Sequence, residues 1–248
     1  GRAVETRFLW KTAPDHWVFA SYVWNAEGTE AAKAPDSGVM NVADVAPGKR
    51  HSIPSLADCR TCHVSRQTQI LGFNALQLST DRDPNAIHGE TLQAGMVTLK
   101  TLYDEALLSP ARPELAANPP RIDAETAGER AVLGYLASNC GACHNRRGEL
   151  ASLGMHWSAG ELLAAGRGAA AAMVGHETKW QVPGVPEGES VLVNRLEPDA
   201  SALVRRMKSR RPSSQMPPLG TVVADPEALD AIARWIAHED SFSDRTRR

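Results

Sequence analysis

The chain is short of most features that would announce a membrane, a polyanion or a disulfide scaffold. No apolar run approaches the ~18 residues that a membrane-spanning helix needs; the nearest candidate, 169–174, is short and alanine-rich. The opening Gly-Arg-Ala-Val-Glu-Thr-Arg lacks an apolar h-region, so no signal peptide is expected within it. Neither sign of charge dominates: 27 Lys and Arg against 29 Asp and Glu leave a net charge of −2, which argues against a nucleic-acid partner held by charge. Aromatic residues are only 5% of the 248 residues; a chain of that length makes one or two domains, and their protein-only cores should be modest. There are four cysteines, and two short motifs use them all, so none remains for a structural disulfide.

Those motifs are Cys59-Arg60-Thr61-Cys62-His63 and Cys140-Gly141-Ala142-Cys143-His144. CxxCH is the attachment pattern of a c-type haem. One helical turn aims two thiols, three residues apart, at the two vinyl groups of a single porphyrin, and the adjacent imidazole comes round to the iron. Cys59, Cys62 and His63 are therefore assigned to a first covalently attached haem c, and Cys140, Cys143 and His144 to a second. His63 and His144 are the proximal iron ligands in this reading. Two CxxC pairs could instead share one four-thiolate zinc site, but they stand 81 residues apart and a histidine follows each. A thioredoxin-like motif needs one pair in a βαβ context, and a disulfide across three residues would be strained. The expectation is a di-haem c-type cytochrome. Because such haem is attached after export, its compartment is expected to be the bacterial periplasm or cell exterior, with the targeting segment outside this sequence.

In chain order, residues 1–50 read as a β-rich N-terminal region. Thr6-Arg7-Phe8-Leu9-Trp10 and the aromatic-rich run 17–24 flank the turn residues Thr12-Ala13-Pro14-Asp15, which predicts a β-hairpin packing its aromatics on the first haem domain. Residues 28–50, with Pro35, Gly38, Pro47 and Gly48, read as loop. The first haem domain is 51–108: Pro54-Ser55 opens a helix through the CxxCH, the apolar stretch 69–78 should line the haem, and 92–108 has helical spacing. Four prolines in 109–120 predict an irregular linker. The second haem domain is 121–241, and 242–248 is a polar tail. The fold class expected is mainly α, two c-type haem domains with an N-terminal β-hairpin region.

Within 121–241 a helix over 124–139 leads into Asn139-Cys140-Gly141-Ala142-Cys143-His144, and Pro226 starts a helix with an apolar stripe at Leu229, Ile232, Ala233 and Ile236. Between them lies Ser214-Gln215-Met216-Pro217-Pro218-Leu219-Gly220. Two prolines after a methionine fix φ and remove two amide donors, which keeps a loop extended and stiff enough to hold a weak sulfur ligand. This half of the chain resembles class I cytochromes c. The resemblance implies that Met216 is the second haem's distal ligand opposite His144, a pairing that raises the redox potential. The separation of 72 residues between His144 and Met216 exceeds that of the smallest family members, and 175–188 is read as an inserted loop.

The first haem lacks such a loop. Class I topology favours a sixth ligand C-terminal to CxxCH, which points first to His88, with His51 and Met96 as the other candidates. Arg205, Arg206, Lys208, Arg210 and Arg211 form a basic run in 200–224 with no acidic residue, either a solvated face or a docking patch for an acidic redox partner. Three functions remain open: an electron relay between periplasmic redox partners, a di-haem peroxidase or small-molecule oxidase working at the first haem, and a cytochrome subunit of a larger respiratory or dehydrogenase complex.

Overall fold

The computed structural model describes residues 2–14, 16–64 and 70–238. Asp15 of the first turn, Gln69 of the apolar stretch and the tail 242–248 lie outside the described residues. The chain divides into two compact units, residues 1–65 with 209–224, and residues 66–208 with 225–248.

The first unit is built on two small sheets. Strands β1 (Glu5–Ala13) and β2 (His16–Trp24) pair antiparallel, with Phe8 opposite Ala20 and Trp10 opposite Val18. Strand β3 (Ala31–Lys33) adds to the other edge of β2. Strands β4 (Val39–Ala46) and β5 (Lys49–Ile53) form a second hairpin joined by Pro47-Gly48. Proline presets φ at the first turn position and Gly48 supplies φ +67° at the second, which is type II turn chemistry. Helix α1 (Leu56–His63) follows. Among the described residues of this unit the buried apolar side chains are only Ala34, Ala43 and Ile53.

The second unit holds one contiguous hydrophobic core. Its helices are α2 (Leu99–Asp104), α3 (Pro113–Ala117), α4 (Ala127–Asn139), α5 (Ala159–Ala165), α6 (Gly168–Ala171), α7 (Ala202–Lys208) and α8 (Pro226–Ile236). Thr126 caps α4 by accepting the Glu129 N–H at 3.0 Å, and Asp225 caps α8 by accepting that of Ala228 at 3.0 Å. Proline at the first position of α8 loses nothing, because that N–H has no partner inside the helix. Helix α4 packs against α8 through fully buried Val132, Leu133, Leu136, Ile232 and Ile236.

Three expectations are corrected. The chain is mixed α/β, with 29% helix and 16% strand in two small sheets, not mainly α. The difference arises largely in 28–50, read as loop because its prolines and glycines signal turns and the valines of β4, Val39, Val42 and Val45, do not alternate. The helix expected over 92–108 is confined to α2, because Thr98 caps it there and Ala106 turns left-handed at φ +55° beyond its end. The proline-rich 109–120 contains α3, with Pro113 at its start where proline is tolerated.

Replacing Ile232, fully buried in the α4–α8 contact, by alanine should cost about 2–5 kcal/mol in urea denaturation. Replacing Leu196, 97% exposed, should cost about 0.5 kcal/mol or less.

Candidate functional site

Helix α1 exists where it does because Ser55 and Asp58 cap it reciprocally. The Ser55 hydroxyl accepts the Asp58 N–H at 3.1 Å, and the Asp58 carboxylate accepts the Ser55 N–H at 2.9 Å. One eight-residue helix thereby carries Cys59, Cys62 and His63, none of them fully buried. Strand β2 packs on α1: the Phe19 ring lies 5.6 Å from the His63 imidazole, and Phe19 and Ser21 share a crevice wall with Cys59. The cross-strand register sets Glu5, Arg7 and Leu9 on that same face. Arg7 donates to both oxygens of Glu5 at 2.8 and 3.1 Å, and His51 Nε2 lies 3.0 Å from Oε2 of the same carboxylate. Burial works to raise the Glu5 carboxyl, but Arg7 and His51 outweigh it and hold it below its ordinary value. Burial pushes the Cys59 thiol up, with the Arg7 guanidinium opposing. Phe8 and Trp10, on the opposite face of the hairpin, are exposed, and Tyr22 and Trp24 alternate onto that face too, so of the six strand aromatics only Trp17 and Phe19 share the face toward α1.

The second motif stands just past α4. Its turn is closed by the His144 N–H donating to the Cys140 carbonyl at 2.8 Å. Buried Asn145 braces it, donating from Nδ2 to the Gly141 and Ala142 carbonyls at 3.1 and 3.0 Å. Glycine is required at 141: a Cβ there would run into the carbonyl oxygens of Trp157 and, at 2.7 Å, Ala137. His144 is buried with its ring 5.0 Å from Trp157, and burial pushes the Cys140 thiol up to about 12. Beyond Trp157 lies a cavity of about 350 Å³, lined by Met155, Leu162 and Met173 together with His156 and His176. His176 donates from Nε2 to the Leu153 carbonyl at 2.9 Å.

Met216 lies half-buried in 209–224, so it and His144 fall in different units. Its loop is braced from within: Gln215 Nε2 donates to the Pro217 and Pro218 carbonyls at 3.2 and 3.0 Å, and Arg210 reaches the Met216 carbonyl at 3.4 Å. The three sixth-ligand candidates of the first haem are all engaged. His88, left-handed at φ +56°, presents Nε2 to Asp225 at 2.8 Å and Nδ1 to Glu227 at 3.4 Å. His51 holds Glu5, and the Met96 sulfur accepts the Gln93 N–H at 3.4 Å. The basic run is partly structural: Lys208 and Arg205 bond to Asp199, Arg206 lies 5.5 Å over the Trp180 ring, and Arg211 is exposed.

The donor sets suit a covalent haem at each motif, with two thiols and an imidazole on one helical turn. The first unit also suits it by what it lacks: three small or medium buried apolar side chains are a slender core, and a planar apolar group joined to α1 would supply buried surface. Among the described residues no group of three or more His, Cys, Asp or Glu is placed to hold a metal ion. No described helix is long and apolar enough to cross a membrane. Phe19, Arg7, Asn145, Trp157 and Gln215 join the site only through folding; the asparagine directly after the second CxxCH and the glutamine before Met216 were the visible hints. Comparison with protein-family models, curated proteins and solved structures finds no match to this chain.

Glu161 ties the segment after the second motif to α5. Burial works to raise its carboxyl, but the Ser158 hydroxyl and the backbone N–H groups of Arg146 and Ser158 outweigh it and lower it from 4.5. A lowered carboxyl contributes stability above its unfolded value and loses it as pH falls through the folded one. Glu161→Gln should therefore cost about 1 kcal/mol at neutral pH in urea denaturation, and the gap to wild type should narrow as the pH drops below 4.5.

Proposed function

We propose that the chain is a di-haem c-type cytochrome that relays electrons between exported redox partners. The observation that carries the reading is the pair of CxxCH motifs, each held on a helical turn beside an aromatic ring: Phe19 at His63 and Trp157 at His144. Haem bound at such a site supplies a one-electron Fe(III)/Fe(II) couple. Cys59 and Cys62, and Cys140 and Cys143, would hold the two porphyrins through thioethers. His63 and His144 would bind the irons, and Phe19 and Trp157 would restrict how each imidazole turns. Met216 is the sixth ligand that the Met-Pro-Pro pattern names for the second haem, in a loop whose carbonyls Gln215 and Arg210 already satisfy. The exposed charge of the basic run would serve an acidic partner, and the compartment would be the periplasm or cell exterior.

A second reading, substrate chemistry such as peroxide reduction at the first haem, is favoured by one observation: His88, His51 and Met96 each have another polar partner. The exposed Phe8 and Trp10 suit a third, membership of a larger redox complex.

Low-temperature EPR of the ferric protein separates relay from enzyme. The relay predicts two low-spin haems unaffected by cyanide or peroxide, and loss of the thioether ligand's near-infrared signature from one of them in Met216→Leu. A high-spin signal that cyanide abolishes would establish an open iron and the enzymatic reading.

A further inference from the structure

The inner face of the first hairpin bears a cation that the relay reading leaves without a role. Arg7 sits on β1 directly opposite Ser21 of β2, and Ser21 and its face-neighbour Phe19 line the crevice that Cys59 enters. Phe19 in turn meets the ring of His63. Arg7 is therefore placed by the sheet register on the face of the hairpin that meets the first motif. Its guanidinium is held in place by a two-pronged bond to Glu5, and His51 Nε2 lies 3.0 Å from Glu5 Oε2, the oxygen it shares with one prong of Arg7. The Glu5 side chain is only 8% exposed, so this anchor does not swing in solvent. The arrangement fixes a full positive charge beside one haem site. The carboxylates of Glu5 and Asp58 oppose part of that charge at Cys59.

A fixed cation favours the reduced, less positive state of a neighbouring iron centre. The thioether edge is also opposite the propionates of a haem attached at Cys59 and Cys62, so Arg7 is not placed to neutralise those carboxylates. Its charge would fall on the iron couple.

We propose that Arg7 is a positioning residue that raises the reduction potential of the first haem, with Glu5 and His51 as the clamp that holds it there. The proposal rests on the haem reading of Cys59, Cys62 and His63. The charge is 47% exposed, so solvent weakens its effect and the expected size is moderate.

The test is a spectroelectrochemical titration of the purified holoprotein, resolving the two haems, for wild type, Arg7→Gln and Arg7→Lys. In Arg7→Gln one potential should fall, with the reduced-to-oxidised ratio at fixed potential changing about threefold, ~28 mV at 59 mV per decade for one electron. The other potential should stay. Arg7→Lys keeps the charge and should stay close to wild type, an outcome that a purely structural arginine would not produce. Unchanged potentials in Arg7→Gln would overturn the proposal, as would an equal fall in Arg7→Lys, which would assign the effect to packing. Haem content by the pyridine haemochrome assay on the same samples keeps the two levels apart. Wild type with no covalent haem removes the underlying reading and the proposal with it, whereas two haems per chain with immobile potentials removes the role of Arg7 alone.

Discussion

Two thiols three residues apart and an imidazole one residue further can serve the same planar group only while a single helical turn holds all three. Both motifs meet that constraint, by different means. At the first, the Ser55–Asp58 capping box nucleates a helix in a unit with almost no core, so the local cap carries what burial does not. At the second, a thirteen-residue helix seated in the core runs out at Asn139, and the turn beyond it is closed by the His144-to-Cys140 bond and the Asn145 side chain. The remaining features follow from keeping those turns in place. Strand β2 lies along α1, Gly141 admits the Trp157 backbone, and Glu161 straps the segment after the second motif to α5.

The two units also differ in what stabilises them. The second buries a contiguous set of side chains from α4, α5, α6, α7 and α8 and has the protein-only core of an ordinary domain. Among its described residues the first buries three apolar side chains and leaves Phe8, Trp10, Met40 and Val45 exposed. A unit of that kind gains most from an added apolar body. The covalent haem would then be structural as well as functional there, and the hairpin its cover on the Phe19 face.

Much of the site was legible in the chain because its chemistry is local. CxxCH fits in one helical turn, Pro54-Ser55 and Pro226 mark helix starts, and the β-branched and aromatic richness of 17–24 marks a strand. The second hairpin was not legible, because Pro47-Gly48 signals a turn without saying that strands flank it. Nor did the apolar spacing of 92–108 reveal that Thr98 would start the helix so late. Residues that join a site through the fold leave no local trace at all: Arg7 comes opposite Ser21, which shares a crevice with Cys59, only through the β1–β2 register, and His88 meets Asp225 across 137 positions. The same limit applies to the first haem's sixth ligand, whose three candidates look available in the sequence and are each engaged in the fold.

Covalent haem at both motifs is the claim on which the functional account stands, and intact-mass spectrometry tests it most directly. The protein should be made in a host that exports it and matures c-type cytochromes, then denatured in acid and treated with a thiol-alkylating reagent. The account predicts the mass of the chain plus two haems, with no alkylated cysteine. A chain at its bare mass carrying four alkylated cysteines would contradict it.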